Sequence, residues 1–158
     1  MEPTTAILYF AYGSNLNPDR IDRRIPGARP LGRAVLRGWR LAERLYADIE
    51  KARGGRVEGV VYALTPTELR RLDAYEGCPT VYRSATVTVE AELCGASAVK
   101  VPAITYMMTE ATRRFRAGKK YPEPYRIVCA VGAEHWGIGG EPFGPLPPKS
   151  DPTGTVFF

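Results

Sequence analysis

Apolar positions along this chain change their period several times, and each change marks an element. Ile7, Leu8, Tyr9, Phe10 and Ala11 run without a polar interruption, the pattern of a fully buried strand. The run stops at Gly13-Ser14-Asn15, small hydrogen-bonding residues that turn the chain. Asn17 then reads as a helix N-cap, with Pro18 at the first helical position. This helix spans Pro18 to Arg24, and Pro26-Gly27 ends it. Two apolar runs follow, Ala34-Val35-Leu36 and Trp39-Arg40-Leu41-Ala42, with Gly38 between them as a bend or bulge. Residues 50–56, which contain Gly54-Gly55, read as a hairpin connection into a strand over 57–64.

Thr65-Pro66-Thr67-Glu68 has the spacing of a capping box, with the acid three residues past the cap, and opens a helix to about Tyr75 that Gly77 stops. Leu64, Leu69, Leu72 and Tyr75 supply its apolar face. Residues 82–93 and 98–108 alternate well enough to form an antiparallel pair around Cys94-Gly95-Ala96-Ser97. A last helix covers 122–134, with Tyr125, Val128, Cys129 and Gly132 sharing a face. Strands in the majority with helices inserted predict an α+β fold around a small mixed, barrel-like β-sheet, without internal repeats. The expected domain covers residues 1–136. Residues 137–158 are rich in Gly and Pro, which forbids a further helix and predicts an extended arm, free to rim a cleft or to pack in a homodimer.

Composition narrows the class. A chain of 158 residues, 44% hydrophobic and 25% charged, fits one ordinary globular domain. No run is long and apolar enough for a membrane span and no leader pattern opens the chain, so the expected location is the cytoplasm. Cys78, Cys94 and Cys129 are odd in number and far apart, which argues for buried free thiols over disulfides or zinc. The net charge of +5 favours acidic partners, either small carboxylates or nucleic acid. Arg20, Arg23, Arg24, Arg29, Arg33, Arg37 and Arg40, interleaved with Trp39, could serve a nucleic-acid surface. No nucleic-acid motif accompanies them, so a solvated basic face is favoured. The lone histidine, His135, has no acidic or thiol partner nearby in sequence and reads as structural, and Met107-Met108 reads as core.

Candidate chemistry begins at the first turn. An apolar strand, a polar turn with free N–H groups and a helix start together form a place where an anionic or oxyanionic group is held. The run Phe10-Ala11-Tyr12-Gly13-Ser14-Asn15-Leu16 resembles the opening motif of the gamma-glutamylcyclotransferase family. Further matches follow in family order: Gly59-Val60-Val61-Tyr62, Leu72-Asp73-Ala74-Tyr75-Glu76-Gly77, Tyr106-Met107-Met108-Thr109 and Pro124-Tyr125-Arg126-Ile127-Val128-Cys129. They span roughly residues 7–137.

The resemblance implies roles for particular residues. An arbitrary glutamate at a helix end is a solvated side chain, but in the family that Leu-Asp-x-x-Glu-Gly resembles, the position of Glu76 is the catalytic acid/base. The segment matching Tyr12, Gly13, Ser14, Asn15 and Leu16 binds the glutamyl moiety, mostly through main-chain atoms. Tyr82 and Tyr125 match tyrosines whose hydroxyls face the site. The implied reaction is cleavage of a gamma-glutamyl amide by its own alpha-amine, releasing 5-oxoproline and an amine or amino acid. It requires no metal, cofactor or nucleophilic side chain, and the expected partner is a small-molecule gamma-glutamyl substrate. A related gamma-glutamyl-amine or metabolite enzyme, and a non-catalytic basic binding module on the same fold, stay open as alternatives. Family members often continue with another helix, from which the tail here departs.

Overall fold

The computed structural model describes residues 6–148. Five strands close into a barrel in the order β1-β3-β2-β4-β5. Strand β1 (Ile7–Ala11) runs antiparallel to β3 (Tyr46–Leu64), with Tyr9 opposite Tyr62, and closes the barrel by a parallel contact of Tyr9 with Ile104 of β5 (Val99–Met108). Both edges of β1 are thus paired, and the consecutive burial of Tyr9, Phe10 and Ala11 shows that both its faces are covered as well, which explains why its sequence does not alternate.

Strands β2 (Arg29–Arg44) and β3 form one long ribbon that turns at Leu45, in the left-handed region at φ +63°. The hairpin expected over residues 50–56 is not there. Residue pairing jumps from Arg37 with Arg56 to Trp39 with Lys51, so Gly54-Gly55 belongs to a wide bulge inside β3, facing the bulge at Gly38 in β2. Glycines are required for local reasons: Gly54 has φ +76°, and a Cβ on Gly55 would stand 2.6 Å from the Trp39 carbonyl oxygen. Bulges bend the ribbon around the barrel. Strands β4 (Tyr82–Ala91) and β5 pair antiparallel along their whole lengths, as expected.

Helix α1 (Pro18–Arg24) has the predicted cap, since Asn17 Oδ1 accepts from the N–H groups of Asp19 and Arg20. Helix α2 (Pro66–Glu76) forms both bonds of the Thr65–Glu68 capping box and ends where Gly77 turns left-handed at φ +65°. Leu72 is fully buried, but Tyr75 is exposed, with the Arg24 guanidinium over its ring, so it does not belong to the apolar face. Helix α3 (Glu110–Arg116) is absent from the sequence-based expectation; it has no buried residue, so no apolar stripe announces it. Helix α4 (Glu123–His135) packs against the first turn so closely that a Cβ on Gly132 would lie 2.5 Å from Asn17 N. Asn17 Nδ2 donates to Val128 O, and Trp136 Nε1 donates to Leu16 O.

One core fills the barrel and includes Met107, Met108 and Phe143, the last of these from the stretch after α4. Arg126 Nη1 ties that stretch down by donating to the carbonyls of Phe143 and Pro145. The far end of the expected arm lies outside the described residues. Of the three free thiols only Cys129 is buried; Cys78 is half-buried, and Cys94 is exposed in the loop between β4 and β5, which corrects the expectation of buried cysteines. In the arginine run, Arg33, Arg37 and Arg40 pair with Glu92, Glu90 and Glu50. His135 is exposed, with its ring against Trp136. Among the described residues no helix is long and apolar enough to cross a membrane.

Candidate active site

A cavity of about 620 Å³ opens where the end of β1, the end of α2 and the start of β4 meet. Tyr12, Gly13, Ser14, Asn15, Glu76, Tyr82 and Tyr125 all line it, although they come from four separate stretches of chain. Leu16 does not. Its side chain is fully buried in the core, and its carbonyl is taken by Trp136, so its part in the wall is to anchor the turn.

The turn is short and tightly held. Residues Ser14–Leu16 form a single 3₁₀ turn in which Leu16 N donates to Gly13 O and Asn17 N to Ser14 O. These bonds use amides after Asn15 and leave those of Gly13, Ser14 and Asn15 outside them. Asn15 is buried and fixed on three sides: Nδ2 donates to Tyr9 Oη, Oδ1 accepts from Arg24, and its carbonyl accepts from Tyr62 Oη. Gly13 cannot be larger without moving its neighbours, because an added Cβ would meet Ala47 Cβ at 3.1 Å and Tyr125 Oη at 3.3 Å.

Opposite the turn sits Glu76 at the last position of α2, where the left-handed Gly77 ends the helix. Its carboxylate receives no side-chain hydrogen bond and no ion pair within 4.0 Å among the described residues. Burial pushes its pKa from 4.5 up to about 7, against the pull of Arg24 and Arg20 on α1 and with a further push from Asp73. A carboxyl group in this state holds and releases a proton near neutrality.

Tyrosines make up much of the remaining wall. Tyr82 Oη donates to Ala47 O at 2.9 Å and Tyr125 Oη accepts from Ala47 N at 3.0 Å, so one residue of β3 orients both hydroxyls. Tyr12 Oη donates to the Tyr106 carbonyl, and Tyr106 Oη donates to the Asp73 carboxylate. Burial raises the pKa of Tyr9, Tyr12, Tyr82, Tyr106 and Tyr125, which keeps these hydroxyls protonated; Tyr12, Tyr82 and Tyr106 use that proton in the bonds just described, whereas Tyr9 and Tyr125 accept in theirs. Sequence reasoning missed Tyr9, Tyr106, Arg20, Arg24, Tyr46 and Arg116 in this wall. For Tyr9 and Tyr106 a signal existed, since tyrosines in otherwise apolar strands need a partner for the hydroxyl.

Comparison with known proteins identifies the family and the fold. A family model described as gamma-glutamyl cyclotransferase, AIG2-like, matches residues 9–126. The gamma-glutamylcyclotransferase of Mus musculus is 29% identical over 146 residues, covering 85% of this chain and 73% of that protein. The Homo sapiens protein of the same name is 28% identical over 145 residues, covering 84% and 73%. A solved structure of a gamma-glutamyl cyclotransferase superposes with a TM-score of 0.72 at 26% identity, over 97% of this chain and 94% of that one. The family match runs from β1 into α4 and includes both segments that meet across the cavity, and so the chain belongs to the gamma-glutamyl cyclotransferase, AIG2-like family and is an enzyme of that type.

Proposed function

We infer that the protein cleaves a gamma-glutamyl amide by cyclising it, with Glu76 as the proton carrier. The alpha-amine of the glutamyl group attacks its own gamma-carbonyl carbon, a C–N bond closes the five-membered lactam, and the original amide C–N bond breaks. The products are 5-oxoproline and a free amine. Such a tethered nucleophile reaches an effective concentration of about 10⁵ to 10⁸ M, so the protein need not supply one. Two proton movements remain. The alpha-amine enters as an ammonium and must lose a proton, and the leaving nitrogen must gain one. A single carboxylate does both in turn, and the observation that carries this reading is Glu76: unpaired among the described residues, facing the cavity, with a pKa raised to about 7.

The amides of Gly13, Ser14 and Asn15 supply donors for the oxygen that becomes negative as the carbonyl carbon turns tetrahedral. Tyr82 and Tyr125, oriented by Ala47, bound the substrate on the opposite wall. Release of 5-oxoproline from a panel of gamma-glutamyl dipeptides and gamma-glutamyl amines tests the proposal. At least one compound is expected to give 5-oxoproline and free amine in equal amounts. A panel that yields neither product overturns the proposal.

A further inference from the structure

Helix α3 carries three arginines, and they are not equivalent. Arg113 is held by the Asp48 carboxylate and donates to Ile49 O, and Arg114 pairs with Glu110. Arg116 has neither kind of partner among the described residues, yet its guanidinium lines the cavity and its Nη1 is buried without a hydrogen bond. A buried guanidinium nitrogen left unsatisfied is costly, and native proteins retain such groups where something else completes them. Tyr46 holds the group by a cation–π contact, with the guanidinium carbon over the ring at 5.1 Å from its centre, and such a contact leaves the N–H groups for an acceptor.

The position of this charge along the cavity gives it meaning. Arg20 and Arg24 act on Glu76 at the α1 side, whereas Arg116 acts on Tyr82, next to Tyr46 and Ala47. The cavity wall therefore carries cationic groups from two separate helices, α1 and α3. A gamma-glutamyl amino acid has two carboxylates, one on the glutamyl group and one on the residue that departs. A gamma-glutamyl amine has only the first.

We propose that Arg116 is a specificity residue that receives the carboxylate of the departing amino acid, so that the substrates are gamma-glutamyl amino acids in preference to gamma-glutamyl amines. This rests on the cyclising reading of the same cavity. A guanidinium matches a carboxylate in a two-point fork, and losing such a charge-assisted contact weakens binding by about 10- to 100-fold. It touches the leaving group only, so its removal raises KM for the acid substrate and leaves the proton chemistry at Glu76 in place.

The test uses gamma-glutamylalanine and gamma-glutamylethylamide, which differ by one carboxylate. The wild-type protein is expected to favour the alanine compound in kcat/KM, and Arg116→Met to reduce that preference by about 10- to 100-fold, through KM. Arg116→Lys, which keeps the charge and the stem, recovers part of it. A wild-type protein without the preference, or a variant that slows both compounds equally, overturns the proposal. If neither compound is turned over, the cyclising reading fails, and calorimetry of the same two compounds decides about Arg116 separately. Tighter binding of the alanine compound, lost in Arg116→Met, upholds the contact; equal binding or none overturns it.

Discussion

Asp48, on barrel strand β3, and Glu76, at the end of α2, are carboxylates held in opposite ways. Asp48 is fully buried and completely engaged: it accepts from Arg44 Nη1 at 2.8 Å, Arg113 Nε at 3.0 Å and the Met108 amide at 2.9 Å. It joins the β2–β3 turn, the end of β5 and α3 at one point. Glu76 is half-buried, meets no donor among the described residues, and faces a cavity. The first environment fixes a charge and with it the geometry of three elements. The second leaves the group short of compensation, so its proton affinity rises to the range where both forms are populated in neutral solution. Burial alone therefore does not mark a reactive carboxylate. On the proposed role of Glu76, absence of partners at a cavity does.

Replacing each carboxylate is the strongest way to test this contrast. Glu76→Gln removes the proposed proton carrier but keeps the shape, and turnover is expected to fall by about 10²- to 10⁴-fold with the fold retained, read from 5-oxoproline release and circular dichroism. Near wild-type turnover in this variant would falsify the assignment. Asp48→Ala should act on stability instead. It leaves Arg44 and Arg113 without their shared partner, and both are partly screened by solvent, so a loss of about 3 kcal/mol in urea unfolding is expected, at the low end for a broken buried pair. If Asp48→Ala unfolds at the wild-type urea concentration, the structural half of the comparison is lost.

Parts of this molecule that were legible from sequence share one property: their cause is local. The Thr65–Glu68 capping box, the Asn17 cap and the left-handed Gly77 each depend on a few neighbouring residues, and each forms as read. Glu76 is singled out by a motif that lies in one stretch at the end of α2, and the structure places it in the cavity wall. Gly54-Gly55 misled because two glycines in a bulge carry the same signature as two glycines in a turn, and only the pairing of Arg37 with Arg56 and Trp39 with Lys51 separates the cases. Helix α3 was invisible for want of a buried face. The cavity wall was the least legible part. Its bonds join residues as far apart as Tyr12 and Tyr106, or Ala47 and Tyr125, and no local pattern encodes them. Leu16 shows the converse, a residue inside a recognised motif whose side chain belongs to the core.

The smallest of the expected effects, and the one that speaks most directly to the difference between the two carboxylates, is in the pH dependence of stability. In the unfolded chain Glu76 ionises around its ordinary value of 4.5, while in the folded protein burial holds the proton to about 7. Between these values the folded state binds more protons than the unfolded one, so this group makes stability fall as pH rises. The penalty is absent below the unfolded value and complete above the folded one. Because the side chain is partly exposed, the shift is discounted for screening, and the wild-type protein should lose about 2 kcal/mol relative to Glu76→Gln between pH 5 and pH 8. Glutamine cannot ionise, so the variant lacks this slope and should gain on the wild type as the solution becomes alkaline. Urea unfolding of both proteins at the two pH values measures the difference directly. A constant gap between them would mean that Glu76 is as well compensated as Asp48, and the distinction drawn between the two groups would not hold.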